Sequence, residues 1–230
     1  PQMTYFKLVF RRYTNFALDS REMILTGPTT LLGEETITLK TVIPRHGDLL
    51  SALYLLVDLP DIYSGYRDNS GEGPPAANAG YRFQWIHELG ARLIERVDIS
   101  VGGTKVHELW GDWMYLWYEL FAPDAVDLQT YDELIGNTPA FYDPAHGPGR
   151  LGVYPTATLD TTLDEDPELT TSVASGVTNP YLRTASIRGQ TLYIPLPFWF
   201  GTHSGLSLPL IALQAHEVEV TVTLRRLNDL

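Results

Sequence analysis

Alternating apolar and polar positions recur along the chain and predict β-strands. Residues 35–43 alternate, with Ile37, Leu39 and Val42 against threonine and lysine, and residues 216–224 alternate again. Residues 49–59 form a nearly continuous apolar run, which is typical of a strand buried on both faces. Short strands separated by long irregular segments favour an all-β sandwich.

A tight hairpin is predicted in the middle of the chain. Residues 92–101 and 104–109 both have strand character, and Gly102-Gly103 separates them. A two-residue type I′ turn requires positive φ at both positions, which glycine adopts without a steric penalty. The two segments should therefore pair as antiparallel neighbours.

One helix is predicted directly after this hairpin. Large apolar residues recur at helical spacing, Asp112 lies in the first turn, where the helix dipole favours an acid, and Pro123 lies just beyond the end. A stripe of this kind belongs to a core more often than to a ligand platform, so it should cover the end or side of a sheet. The stripe consists of Trp110, Trp113, Met114, Trp117 and Phe121.

Two segments rich in turn-forming residues predict exposed insertions at about 61–80 and 122–180. Charge is distributed unevenly along the chain, which has a net charge of -12. Residues 122–180 contain ten acids and one base, whereas residues 1–21 contain four bases and one acid. The molecule should therefore have an acidic region and a basic region.

The sequence contains no recognisable catalytic, cofactor or metal motif. There is no cysteine, and none of the six histidines belongs to a His-Glu-X-X-His sequence. Phosphate-binding loops and Gly-X-Ser-X-Gly elbows are missing too, and the acids of residues 164–168 do not match a calcium loop. We therefore predict a non-enzymatic protein with no cofactor.

Residues 192–220 carry the most informative pattern. A strand over 191–196 should be closed by proline and followed by an aromatic corner at Phe198, Trp199 and Phe200. The sequence LYIPLPFWF followed by LPLIALQ resembles the major capsid proteins of nucleocytoplasmic large DNA viruses. Residues 1–17 are similar to that family's N-terminal arm, and residues 93–103 with 111–120 resemble its central hairpin and helix.

The resemblance implies an eight-stranded antiparallel jelly-roll sandwich with one or two short helices in loops between strands. Residues 1–15 would form an N-terminal arm, residues 16–230 the first jelly roll of a double jelly-roll protein, and a second jelly roll would lie outside this chain. Three copies would assemble into pseudo-hexagonal capsomers that tile an icosahedral shell. Localisation to the virion, after assembly in the host cell interior, follows from the same resemblance.

The same resemblance suggests partners and interface residues. Partners would be two further copies, neighbouring capsomers and minor capsid proteins. The basic arm would contact DNA or an inner membrane, and the acidic loops a host surface. The candidate structural or interface residues are Tyr5, Phe6, Arg11, Arg12, Trp110, Trp113, Trp117, Phe198, Trp199 and Phe200.

Two alternatives from other functional classes stay open. A carbohydrate-binding jelly-roll module would present exposed aromatic side chains on a sheet face or loop, and glycan binding would reveal it. A cupin-like metalloenzyme would need bound metal, but the His-X-His pair typical of cupins does not occur in this sequence.

Overall fold

The structure is a computed structural model, and it describes residues 2–3, 8–9, 15–28, 35–62, 82–121, 125–149, 151–152, 154–155, 158–159 and 183–230. For residues 2–3, 8–9, 125–126, 158–159 and 183–184 it describes only the backbone. In chain order the strands are β1 (Gln2–Met3), β2 (Leu8–Val9), β3 (Ile37–Val42), β4 (Leu49–Leu50), β5 (Leu53–Asp58), β6 (Ile94–Val101), β7 (Thr104–Trp110), β8 (Thr158–Leu159), β9 (Arg183–Thr184), β10 (Thr191–Leu196), β11 (Leu208–Pro209) and β12 (Val218–Leu224). The helices are α1 (Leu89–Leu93), α2 (Gly111–Phe121), α3 (Ala125–Ile135), α4 (Pro139–Tyr142) and a one-turn helix at Trp199–Thr202.

A four-stranded antiparallel sheet in the order β3-β12-β6-β7 forms one layer. Its central strand β12 confirms the predicted alternation, because Val218, Val220 and Val222 are buried and the residues between them are half-buried. On the edge strand β3, Ile37 is buried but Val42 is exposed, so Val42 lies on the opposite face from the one expected. The strict two-residue period places Val42 with Thr38 and Lys40.

Four antiparallel pairs lie outside this sheet: β10 with β5, β11 with β4, β1 with β2 and β8 with β9. Leu192 and Ile194 of β10 and Leu53 and Leu55 of β5 join the valines of β12 in a single hydrophobic core. Within this core, Ile194 lies beside Gly90 of α1 and Leu192 beside Gly136, so helices as well as strands cover the inner face of β10.

The apolar run 49–59 is not one strand buried on both faces, so that expectation is wrong. It divides into β4 and β5, which pair with different strands, and β5 alternates between buried and exposed residues. Tyr54 and Leu56 point outward and are exposed. An apolar run alone cannot distinguish a strand buried on both faces from a strand that is buried on one face and has exposed apolar residues on the other.

The predicted hairpin is confirmed. β6 and β7 pair in antiparallel register, and Gly102 and Gly103 have φ values of 58° and 80°. A side chain at Gly102 would also meet the ring of His216. This position therefore requires glycine for both its conformation and its space.

The described residues contain more helix than the one or two short helices expected. α3 and α4 occupy the first part of the segment predicted as an exposed insertion at 122–180, and Tyr131, Ile135 and Phe141 reach the core. The many turn-forming residues of the segment 122–180 led to the prediction of an exposed insertion, although α3 and α4 have apolar residues that are buried. Most of the insertion predicted at 61–80, and residues 160–182, lie outside the described residues.

Candidate assembly surfaces

Helix α2 carries two apolar stripes, and only one of them is covered. Gly111 and Met114 are buried, and Tyr115 and Tyr118 on the same side pack against the core. The other stripe is largely exposed. We call it the α2 outer face, and it consists of Trp113, Leu116, Trp117, Leu120 and Phe121.

The predicted tryptophan stripe is therefore not a core element. Of its members only Met114 is fully buried, at 0% exposure, whereas Trp110, Trp113 and Phe121 are 48%, 46% and 61% exposed. The helix has apolar residues on two sides, and it turns the side with Met114 toward the core. Helical periodicity alone cannot predict which of two apolar stripes is buried.

A close backbone contact fixes this rotation. A Cβ atom at Gly111 would collide with the carbonyl oxygens of Ala91 and Ile94, so the start of α2 lies directly against α1 and β6. Asp112 stands beside two guanidinium groups, with Oδ2 3.0 Å from Arg225 Nη2 and Oδ1 3.8 Å from Arg92 Nη1. These contacts hold the first turn of α2 next to the last strand.

Three tyrosines join α2 to α3. The rings of Tyr118 and Tyr131 stack with centroids 3.9 Å apart, and Tyr115 lies 6.3 Å from Tyr131. Burial raises the pKa of Tyr118 to about 12, and burial also raises the pKa values of Tyr115 and Tyr131. These phenols therefore stay neutral at physiological pH and act as packing groups.

The β5–β10 pair presents a second apolar surface. Tyr193 lies opposite Leu56, and Pro195 lies opposite Tyr54. Tyr193, Leu56 and Tyr54 are about half exposed, whereas Pro195 is buried. At one end of the pair, Thr191 Oγ1 donates to Asp58 Oδ1 over 2.6 Å. Among the described residues no further strand covers this outer face.

Residues 15–28 form a third exposed segment. Thr26 and Lys40 exchange two backbone hydrogen bonds, which attach this segment to the edge strand β3. Upstream of that bridge, Phe16 and Ile24 are 81% and 86% exposed. Met23 and Leu25 of the same segment are half-buried against the core of this chain.

The aromatic corner belongs to the interior. Phe198 and Phe200 are fully buried and stack with centroids 5.4 Å apart, and Trp199 packs edge-on against Phe200. His107 of β7 approaches the rings of Phe198 and Trp199. Phe198 and Phe200 thus act as core residues within this chain.

The outer face of the four-stranded sheet carries a network of charges. Asp98 is buried, with Arg96 Nε 3.2 Å from its Oδ2 and Lys105 Nζ 3.1 Å from its Oδ1. These are ion pairs by distance, although Arg96 Nε is not aligned for a hydrogen bond. Glu108 accepts a 2.7 Å hydrogen bond from Lys105, which lowers the pKa of Glu108 and raises that of Lys105.

Nothing in the described part of the chain resembles a catalytic or metal centre. Its residues contain no cluster of three metal-ligating side chains, and none of its helices is long and apolar enough to cross a membrane. The cavities include one of about 310 Å³ lined by Val42, Ile43, Pro44, Arg45, Leu210, Leu213, Glu217 and Val218. The charged residues in this lining are Arg45 and Glu217.

Comparison with known proteins identifies the family. A family model described as "major capsid protein N-terminus" matches residues 4–230. The chain belongs to this family. The family is one of structural capsid proteins.

Several capsid proteins of large DNA viruses are similar over the whole chain. Probable capsid protein 4 of Acanthamoeba polyphaga mimivirus is 29% identical over 229 residues, and the major capsid protein of Phaeocystis pouchetii virus is 30% identical over 232 residues. Both matches cover 100% of this chain but only 35% and 38% of those proteins. The chain thus spans between a third and two fifths of the length of these relatives.

Solved structures agree on the fold. The PBCV-1 virus capsid, described as a quasi-atomic model, matches with a TM-score of 0.53 at 22% identity, covering 96% of this chain and 38% of that one. The Faustovirus major capsid protein matches with a TM-score of 0.51 at 17% identity, covering 96% and 45%. The capsid fold of mostly sheet with few helices is therefore shared with these proteins.

The candidate residues occupy different environments. Tyr5, Phe6, Arg11 and Arg12 lie outside the described residues. Trp110, Trp113 and Trp117 lie on or beside the α2 outer face, whereas Phe198, Trp199 and Phe200 pack together in the corner. The sequence contains more large aromatic residues than one core needs, Tyr54 among them, which agrees with the exposure of Tyr54, but Leu56 and Tyr193 were not predicted to be exposed.

Proposed function

We propose that this chain is the first jelly roll of a double jelly-roll major capsid protein and acts as a structural component of the virion. The observation that carries the proposal is the family match over residues 4–230, together with relatives named major capsid proteins in several large DNA viruses. The relatives are much longer than this chain, which leaves room for a second jelly roll.

The strand pairing supports an eight-stranded jelly roll. Six of the strands are antiparallel to their neighbours and contribute to one core. They are β3, β12, β6 and β7 in one sheet and β10 with β5 in the other. The β11–β4 pair extends the sandwich at the end where β5 begins. Jelly rolls pack two antiparallel sheets in this way.

The proposed mechanism is assembly through burial of surface, with no bond made or broken. Three copies would form a pseudo-hexagonal capsomer, and capsomers would contact one another and minor capsid proteins in an icosahedral shell. The exposed side chains of α2, of the β5–β10 pair and of residues 15–28 are apolar enough to supply such contacts. The basic arm would face DNA or an inner membrane, and the acidic loops would face outward.

A trimer is the part of this proposal that can be tested in solution. Native mass spectrometry of the intact capsid polypeptide, dissociated gently from virions, should give a species of three identical subunits. A monomer at every concentration, with no trimer on raising the salt concentration, would exclude the capsomer as proposed.

Carbohydrate binding remains the second candidate, because Tyr54 and Tyr193 are exposed on one sheet face. Aromatic rings on a sheet face can stack on sugars. A glycan array with the chain, and with Tyr193→Ala as a control, separates the two functions. Binding that disappears in the variant would favour a carbohydrate-binding module.

A further inference from the structure

The outer edge of β3 is only partly paired. Ile43 N–H donates to Val218 O over 2.8 Å, so the odd-numbered residues of β3 face β12 with their backbone groups. The backbone groups of Lys40 and Val42 therefore point away from the sheet. Lys40 exchanges hydrogen bonds of 2.7 and 2.9 Å with Thr26, whereas Val42 has no such partner among the described residues.

Residues 23–26 approach this edge in the register of a further antiparallel strand. The exchange between Thr26 and Lys40 sets the register, so the residue two before Thr26 should face the residue two after Lys40. That pair is Ile24 and Val42. Within the described ranges, no backbone hydrogen bond joins them. The additional strand therefore begins at one register pair and does not continue to the next.

The burial of this segment already follows the period of a strand. Met23 and Leu25 are half-buried against the core, whereas Ile24 between them is 86% exposed. Val42 is 48% exposed. Opposite residues of an antiparallel pair lie on the same face of a sheet, so pairing would bring the side chains of Ile24 and Val42 together. Pairing would thus add two hydrogen bonds and bury apolar surface on both residues.

Gly27 holds the segment close to β3. Its φ is 148°, a conformation that favours glycine, and a Cβ atom there would lie 2.8 Å from Leu39 Cδ2 and 2.9 Å from Thr38 O. A larger residue at this position would push the segment away from the strand. The close approach at Gly27 keeps the residues just upstream near the unpaired groups of Val42.

An unpaired strand edge is a template for another polypeptide, and proteins commonly cover such edges. We propose that residues 23–25 form a strap that closes on the outer edge of β3, with Ile24 and Val42 as its second register pair. The open strap leaves the edge at Val42 free for a strand from a second copy of the chain. The two hydrogen bonds are opposed by the entropy lost on ordering the segment, so both states are accessible. This inference is independent of the capsid function, because it needs only this chain.

Cysteine trapping tests the register of the strap. The chain contains no cysteine, so a variant carries only the introduced pair. In a hydrogen-bonded antiparallel pair the Cα atoms are about 5.5 Å apart, which suits a disulfide, whereas a shift by two residues places them beyond about 7 Å. Ile24→Cys with Val42→Cys should therefore form an intramolecular disulfide about tenfold faster than Glu22→Cys with Val42→Cys. Equal rates would overturn the strap, and so would a disulfide that only joins two copies.

Hydrogen exchange measures closure in the unmodified chain. The Val42 amide should exchange severalfold more slowly than in an unstructured peptide, because the closed strap protects it for part of the time. Gly27→Ala should accelerate exchange at both Lys40 and Val42, since the added methyl displaces the segment. Gly47→Ala, whose methyl would make only an ordinary contact, is the matched control and should change neither rate. A Val42 amide that exchanges at the peptide rate in the unmodified chain would overturn the proposal.

Self-association tests what the strap covers. The oxidised and reduced forms of the Ile24→Cys with Val42→Cys variant have the same sequence and differ only in whether the strap can open. Sedimentation velocity should show the reduced form dimerising at a severalfold lower concentration than the oxidised form, because only the open strap exposes the edge. Identical dimerisation of the two forms would show that the strap does not guard this edge against a second copy.

Discussion

At the residue scale, the most informative side chain is a buried phenol that lacks a partner. Tyr131 is 3% exposed, and its hydroxyl has no hydrogen-bond partner among the described residues. Burying an unpaired hydroxyl costs about 1–3 kcal/mol, so Tyr131→Phe should leave the free energy of unfolding unchanged or raise it by about 1 kcal/mol. Urea denaturation measures the change.

Tyr154→Phe is the matched control. The Tyr154 hydroxyl donates a 2.6 Å hydrogen bond to Phe83 O, so its removal should cost about 1 kcal/mol. The opposite order, with Tyr131→Phe the more damaging substitution, would show that the Tyr131 hydroxyl is satisfied.

Gly111 gives a second prediction at this scale. Its missing side chain allows the carbonyl oxygens of Ala91 and Ile94 to approach, and Gly111→Ala should destabilise the chain by about 3 kcal/mol, the upper end for overpacking. Gly47→Ala, whose added methyl would make only an ordinary contact, should cost under about 0.5 kcal/mol in the same denaturation experiment. Equal costs would contradict the close packing of α2 on α1.

At the scale of elements, sequence patterns predicted the β6–β7 hairpin, β12 and the helix α2, but neither the division of residues 49–59 into β4 and β5 nor the helices α3 and α4. The β6–β7 hairpin and β12 could be predicted from the sequence. A Gly-Gly pair between two strands is typical of a tight hairpin, and strict apolar-polar alternation is typical of a strand with one buried face. The exposure of one side of α2 and of the outer face of β5 could not be predicted, because their apolar residues have the same character in the sequence as core residues. Local sequence therefore contains no signal that separates an exposed apolar face from a buried one.

The tyrosines between α2 and α3 predict how stability depends on pH. Burial raises the pKa of Tyr118 from 10.0 to about 12 in the folded state, and the pKa values of Tyr115 and Tyr131 rise as well. The folded state therefore holds these protons more tightly than the unfolded state, so their contribution is complete below pH 10 and is lost as the pH rises toward 12.

Tyrosinate absorbance and denaturation at several pH values check this. The free energy of unfolding should fall above pH 10, and a group of tyrosines should ionise only as the chain unfolds. Tyr118→Phe should reduce the slope. Tyrosines that all titrate normally in the folded chain would contradict the burial of this cluster.

At the scale of the whole molecule, the described residues combine one buried hydrophobic core with exposed apolar surfaces, as expected for a subunit of a larger assembly. Residues 1–15 are the proposed arm, and the described residues between it and the bridge at Thr26 are exposed except for Met23 and Leu25, which pack half-buried against the core. Deleting residues 1–15 should weaken trimer or shell formation while leaving the thermal midpoint of the isolated chain within a few degrees. Unchanged assembly would show that the arm is not interfacial.

The central claim is that this chain is a structural domain of the capsid shell, and a cryo-EM reconstruction of the virion from the native source tests it most directly. We expect density for residues 37–58 and 94–110, with their aromatic side chains, to lie in the shell in three equivalent copies per capsomer. A shell built from another polypeptide, with this chain located elsewhere or missing from the particle, would contradict it.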